Sequence, residues 1–323
     1  MITALCWQDG KPVALKEADI AEAFLRHEKG GFIWVHYMAE TRGAHKLAGL
    51  PFELPQAVTR ALLAAETRPR CDLIEGGLLV NLRAPHDDEV KAGEGDPLVS
   101  LRLWAKEGLL LSVSFRHSNV VPKVAGQFND GLIHDPGDLI IALLATAAHE
   151  LDVIVANIGD ELDDLESSLD QGASFAERRR STQLRSKAII LRRFIVPHSQ
   201  AIDRLTTFPI RWIDDGERAA LREASDRFAR MGEELESVRE RAAVLHDEIT
   251  DLRAERMDAR SLQIAIAALI FLPLTFVTGL LGMNVDGIPY AHDPWAFWGV
   301  TAFCAAIALC VAAWFAWRGW SQQ

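Results

Sequence analysis

The run FLPLTFVTGLLGMNVDGIP, from Phe271 to Pro289, holds the most chemically specific spacing in this 323-residue chain. Pro273 permits a bend in a helix, because proline lacks a backbone N–H and crowds the preceding turn. Gly279 and Gly282 free the backbone where such a helix would end. Gly282, Met283 and Asn284 then place an amide side chain and exposed carbonyls at the end of an apolar segment. A ring of such groups, one from each of several copies, would present oxygen dipoles to a hydrated cation without stripping it by full charge. Selectivity filters are built from rings of this kind. Asp286, His292 and Asp293 follow as the acidic and imidazole groups of the adjoining loop, where they would attract cations.

Chemistry of this kind needs a membrane around it, and the chain supplies one clear signal. Between Ser261 and Trp317 there is no Lys, Arg or Glu, and the only Asp residues are Asp286 and Asp293. Leu262–Leu281 and Pro294–Trp317 are each long enough to cross a hydrocarbon core about 30 Å thick, which takes about 20 residues. Trp295 and Trp298 at one end of the second run, and Trp314, Trp317 and Trp320 at the other, match interfacial belts. Arg253, Arg256 and Arg260 precede the first run and Arg318 follows the second, whereas the connecting loop holds no basic residue. The positive-inside rule therefore predicts both termini in the cytoplasm. The mean hydropathy of +0.06 averages this hairpin with a charged body.

Two spans cannot enclose a pore, so a solute path requires several copies around an axis. Ser261, Ile264, Ala268, Leu272, Thr275 and Gly279 recur at three-and-four spacing and form the expected pore-lining face of the first span. Small residues on that face also suit close helix packing, which a symmetric bundle needs as well. No Asp, Glu, His, Lys or Arg lies between Arg260 and Asp286 or between Trp295 and Trp317, so the spans carry no buried carboxylate relay.

Upstream, residues 1–130 read as an α/β sandwich. Residues 3–7, 32–38, 77–83, 98–105 and 109–115 have strand composition, and stretches near 17–29 and 54–66 have helical spacing. Residues 136–206 switch to helix, broken at Gly172, with the second helix running from about 175 to 205. Leu221, Ala224, Phe228, Met231, Leu235, Val238, Ala242, Leu245, Ile249 and Leu252 then alternate by three and four, a coiled-coil-like seam. No proline interrupts between Pro209 and Pro273, so one stalk helix is predicted from about 216 to about 281, on the order of 100 Å long. The expected domains are 1–135, a cytoplasmic α/β domain; 136–260, helical with the stalk; and 261–323, the transmembrane hairpin.

The net charge of −11 argues against duplex nucleic acid as a partner. Cys6, Cys71, Cys304 and Cys310 are scattered and suggest neither a zinc knuckle nor a disulfide framework. The first 30 residues lack a basic start followed by an apolar core, so no cleaved leader is expected. Absence of G-x-S-x-G, P-loop and H-E-x-x-H motifs argues against an enzyme. Weaker metal-ligand candidates are His86, Asp87 and Asp88 in one loop and the helical pair His149 and Asp152. The acidic stretch Asp160, Glu161, Asp163, Asp164, Glu166 and Asp170 reads either as a solvated face or as a cation-attracting surface.

On Gly282-Met283-Asn284, the preceding Pro273-Leu274-Thr275-Phe276, the two terminal spans and the long helix before them, the chain resembles the CorA superfamily of divalent-metal transporters. Glu66-Thr67-Arg68-Pro69-Arg70 and Val285-Asp286-Gly287-Ile288-Pro289 look like its zinc-transporting ZntB branch. The resemblance implies a funnel-shaped homopentamer whose first span lines the pore, and zinc import across a bacterial inner membrane, coupled to protons, with zinc as substrate and no cofactor. The magnesium branch carries Met-Pro-Glu in the outer loop, where this chain reads Ile288-Pro289-Tyr290. An imidazole in that loop suits zinc better than magnesium, which prefers hard oxygen ligands. The alternatives are a magnesium or cobalt channel of the same fold, or a signalling or structural protein tethered by its spans.

Overall fold

A computed structural model describes residues 2–8, 10–27, 31–39, 54–64, 67–86, 98–169, 175–283, 288 and 293–320. It divides into two compact units, Met1–His246 and Asp247–Gln323. The first contains a seven-stranded sheet: β1 (Ile2–Gln8), β2 (Lys11–Leu15), β3 (Phe32–Met38), β4 (Arg70–Ile74), β5 (Gly77–Pro85), β6 (Leu98–Lys106) and β7 (Leu109–Ser114), in the order β2-β1-β3-β7-β6-β5-β4. Every pairing is antiparallel except β3 with β7.

The two faces of the sheet are covered by different helices. Ile33, Val35, Leu111 and Val113 face Ile20 of α1 (Ile20–His27) and Val58, Ala61 and Leu62 of α2 (Gln56–Leu62). The alternate residues Phe32 and Trp34 meet Phe128 of α3 (Val120–Asn129), as the period of two requires. With both faces covered, β5, β6 and β7 are buried almost without a break. The polar residues that alternate with the apolar ones, Asn81, Arg83, Ser100, Arg102, Ser112 and Ser114, are therefore buried as well.

Three elements fall outside the periodic runs of the sequence. β2 contains Lys and Pro, and it is an edge strand, where Pro12 need not donate to a further neighbour. β4 closes the other edge with alternating Arg and Asp. α3 carries Val, Pro and Gly, which score poorly as helix formers, yet packing of Val120, Val124 and Phe128 overrides that preference. The expected sandwich is thus one mixed sheet between helices.

α4 (Pro136–Ser168), α5 (Phe175–Thr207) and α6 (Asp215–Leu281) follow. α6 is a single 67-residue helix, and Gly232 does not break it. A Cβ at 232 would come within 3.1 Å of Val196 Cγ2, so this glycine lets α5 approach closely. From Leu221 to Leu245 the heptad residues of α6 are buried. The contacts they make are within the chain: Phe228 stacks on His198 of α5 at 4.6 Å, Ser225 donates to Asp203, and Arg192 pairs with Glu236 at 2.9 Å. Arg241 donates to Glu166 and Asp163 of α4, both at 2.6 Å. α4 and α5 also pack on β5 and β4, so sheet and helices share one unit, with no break in packing at 135/136.

His198 links the layers. Its Nε2 accepts the Arg83 N–H of β5 at 2.9 Å, and its Nδ1 lies 2.8 Å from the Phe194 carbonyl, which assigns the proton to Nδ1. Burial pushes its pKa from 6.5 down to about 4, opposed by the bond to Phe194. His36, buried beside Ser112 and Ser114, is lowered to about 4, mainly by burial and then by the positive N-terminus. Depressed histidines stabilise the fold fully above pH 6.5, and that contribution is lost as pH falls toward 4. Each is worth on the order of 3 kcal/mol at most. Denaturant unfolding from pH 7 to pH 4 should show the loss, and His198→Gln should lower stability at pH 7 while flattening the profile.

Candidate functional site

The candidate site lies in the second unit, on the end of α6 and the start of α7 (Ala296–Trp320). From Ser261 to Gly282 the side chains of α6 are mostly exposed, although they are the most apolar in the chain. Ile264 is 71% and Leu272 75% exposed, and α7 is equally bare, with Trp295 at 78% and Trp317 at 76%. Surfaces this apolar are not stable in water, so these helices require lipid or further copies of the chain around them. α4 is also long and apolar enough to span, but its stripe from Leu139 to Leu165 is buried in the first unit and belongs to that core.

Ser261, Ile264, Ala268, Leu272, Thr275 and Gly279 fall within an arc of about 80° at 100° per residue, so they do share one face. All six are exposed, and no other part of the described chain covers them. Leu269, Leu272, Pro273 and Phe276 line a shallow apolar groove overlapping that face. Thr275 Oγ1 donates to the Phe271 carbonyl at 2.8 Å, and Thr278 Oγ1 donates to Leu274 at 2.9 Å. Each hydroxyl satisfies its donor internally and keeps lone pairs for an outside donor or cation. Pro273 removes the N–H that would have reached the Leu269 carbonyl, yet the helix continues through it.

Helical hydrogen bonding reaches Gly282, whose N–H donates to Thr278 at 2.9 Å. A Cβ at 282 would sit 3.0 Å from the same carbonyl, so glycine is needed for space rather than for unusual backbone freedom. Gly279 has open space around it and stays within the helix. The release of the backbone therefore falls after Gly282, at half-exposed Met283. Asn284, Asp286 and His292 lie outside the described residues. Asp293 forms the turn into α7: its Oδ1 accepts the Trp295 N–H at 3.0 Å and its carbonyl accepts Ala296 N–H.

The weaker candidates separate. His86 Nε2 accepts from Arg116 at 3.1 Å, so that nitrogen is occupied, and Asp87 and Asp88 lie outside the described residues. His149 and Asp152 enter no group of three ligands among the described residues. In the acidic stretch, Glu161 pairs with Lys187, and Asp163 and Glu166 pair with Arg241, whose proton they hold more firmly. Asp152 and Asp160 instead raise the Glu234 carboxyl above its usual range, after burial as the first cause. Half of the stretch is thus an ion-paired helix face; Asp170 is outside the described residues. A carboxylate cluster that sequence reasoning misses is Asp135, Asp138 and Glu217. Its members come from two helix starts some 80 residues apart, and the local signal is only a capping pattern at each start, Asp135-Pro136-Gly137-Asp138 and Asp214-Asp215-Gly216-Glu217.

A sheet-bearing unit, followed by the bare apolar end of α6 and the equally bare α7, has the build of a membrane protein. The family model described as "CorA-like Mg2+ transporter protein" matches residues 29–317. The chain belongs to the CorA family of divalent-cation transporters. It is 28% identical over 314 residues to a protein of Yersinia pseudotuberculosis named "Zinc transport protein ZntB", covering 92% of this chain and 94% of that one. Among solved structures it matches full-length CmaX with a TM-score of 0.76 and 26% identity, covering 98% of this chain and 96% of that one. The CorA magnesium transporter of Methanocaldococcus jannaschii matches with a TM-score of 0.80 at 17% identity, over 98% and 97% of the two chains, and so shares the fold.

Turn formation and cation attraction by Asp293 can be separated. Asp293→Ala removes the acceptor for Trp295 N–H and should cost about 1 kcal/mol. Asp293→Asn keeps an acceptor and should unfold at the wild-type temperature in detergent. Cation uptake that falls in Asp293→Asn would then report lost charge, and uptake that holds would leave Asp293 with the turn alone.

Proposed function

We propose that this chain takes up zinc across the bacterial inner membrane as a homopentamer, with two spans per chain and both termini cytoplasmic. The observation that carries the reading is the first span: a charge-free helix whose exposed face of small, hydroxyl and apolar residues has no partner in its own described chain and ends at Gly282. Five copies around an axis would bury that face. The zinc-named relatives, matched over nearly the full chain, favour zinc as cargo.

In this reading Gly282, Met283 and Asn284 form the outer filter, and a hydrated cation meets carbonyl and amide oxygens there. Asp286, His292 and Asp293 raise the local cation concentration. The ion then passes Gly279, Thr275, Leu272, Ala268, Ile264 and Ser261, with the hydroxyl of Thr275 offering lone pairs and Leu272 forming a hydrophobic constriction. With no ionisable side chain between Arg260 and Asp286, proton coupling uses hydrated pore groups or residues outside the spans. A magnesium or cobalt channel of the same fold is the second reading, favoured by the family description but opposed by Tyr290 where the magnesium branch carries a glutamate.

Proteoliposomes loaded with a metal-sensitive dye test both. Zinc flux should exceed magnesium flux at equal concentration and rise when the outside is made acidic. Asn284→Ala should reduce zinc flux at least tenfold, a loss of about 1.4 kcal/mol of selective stabilisation. Magnesium flux above zinc flux would favour the second reading, unchanged flux in Asn284→Ala would remove the filter assignment, and flux indifferent to pH would remove proton coupling.

A further inference from the structure

Three carboxylates meet where α4 and α6 begin, all within the unit Met1–His246. Asp135 caps α4, its Oδ1 accepting the Asp138 N–H at 2.8 Å. Asp138 Oδ2 accepts the His134 N–H at 3.0 Å. At the start of α6, Glu217 Oε2 accepts the Asp214 N–H at 2.6 Å, and Asp214 Oδ1 accepts the Glu217 N–H at 2.8 Å, a reciprocal capping box. One oxygen from each of Asp135, Asp138 and Glu217 lies within 4.8 Å of the other two.

Capping accounts for one oxygen of each residue and leaves the rest unexplained. Glu217 is only 9% exposed, and its Oε1 is buried without a hydrogen-bond partner. Among the described residues, no Lys or Arg forms an ion pair with any of the three. The neighbouring Arg218 spends its guanidinium on the carbonyls of Thr206, Phe208 and Ile210. Gly137 makes the approach possible, since a Cβ there would collide with the Glu217 carboxylate. A nearly buried carboxylate beside two half-exposed ones, with no counterion, is costly, and the two helix N-termini supply only partial positive charge. The same crowding raises the Glu217 carboxyl to about 7, through burial first, against the lowering bond from Asp214, and then through the charges of Asp135, Asp214 and Asp138.

We propose that Asp135, Asp138 and Glu217 bind a hard divalent cation, of the Mg2+, Mn2+ or Ca2+ class, that fastens the start of α6 to the start of α4. Three carboxylate oxygens plus water match the all-oxygen shells of these ions. Zinc, which favours nitrogen and sulfur donors in closed sites, fits less well. The site uses none of the residues proposed for the pore, so it stands independently of whether zinc is the cargo.

Full-length protein in detergent, stripped with EDTA and titrated with Mn2+ alone at pH 7.5, tests the site. Free Mn2+ is counted by electron paramagnetic resonance, and thermal unfolding is followed in parallel. Wild type should bind one more Mn2+ per chain than Glu217→Gln, and its unfolding temperature should rise by several degrees with Mn2+. Glu217→Gln keeps an acceptor for the Asp214 N–H, loses the extra ion, and without metal unfolds at or above the wild-type temperature, because a buried charge is gone. Mg2+ and Ca2+ should displace the extra Mn2+ at lower concentration than Zn2+ does. Equal Mn2+ counts and equal temperature shifts in the two proteins would overturn the site and leave two helix caps. Should Glu217→Gln not fold, Asp138→Asn, which keeps an acceptor for His134, provides the same comparison with the same two outcomes.

Discussion

One helix must satisfy two solvents. α6 carries its heptad stripe, Leu221 to Leu245, against α5 and α4, and then continues as a charge-free segment that no described part of the chain covers. A helix closes its backbone hydrogen bonds within itself, which is why one continuous helix can pass from a protein core into hydrocarbon without a break. Everything else follows from that continuity. The sheet unit gives the first half of α6 something to pack on. The bare second half needs lipid or other copies, and the glycine at 282 lets the helical bonds run to the end.

The same division explains where charge is placed. The stretch from Asp214, just before α6, to Arg260 holds 14 acidic and 9 basic residues, and the segment after it holds none until Asp286. Arg192 of α5 neutralises Glu236 of that stretch, while Arg241 of the stretch pairs outward with Asp163 and Glu166 of α4. The carboxylates of Asp135, Asp138 and Glu217 have no such partner among the described residues. An acidic chain thus deals with its charge in two ways: most carboxylates are paired or solvated, and a few are gathered where a cation can balance them.

Much of the architecture is legible in residue order. Strong periodicity locates β3, β5, β6 and β7 and the three long helices, because long apolar stripes leave few alternatives. β2, β4 and α3 are not legible, since edge strands tolerate Lys, Pro and Asp and since α3 forms through Phe128 packing beneath Trp34 and Phe32. The seam on α6 is visible as a stripe, but its partner is not: Phe228 meets His198 and Gly232 meets Val196, contacts between residues 30 and 36 positions apart.

Sequence by itself determined the two apolar segments and the length of α6, because each is a property of consecutive residues: hydropathy and helical period. Tertiary structure alone decided which polar groups are spent and which remain available. His86 Nε2 is taken by Arg116, and Asp163 and Glu166 are taken by Arg241. Glu217 keeps an oxygen with no partner, because a glycine in another helix leaves room for it. A side chain's chemistry is written in its type, but its availability depends on neighbours that only folding brings within a few ångströms.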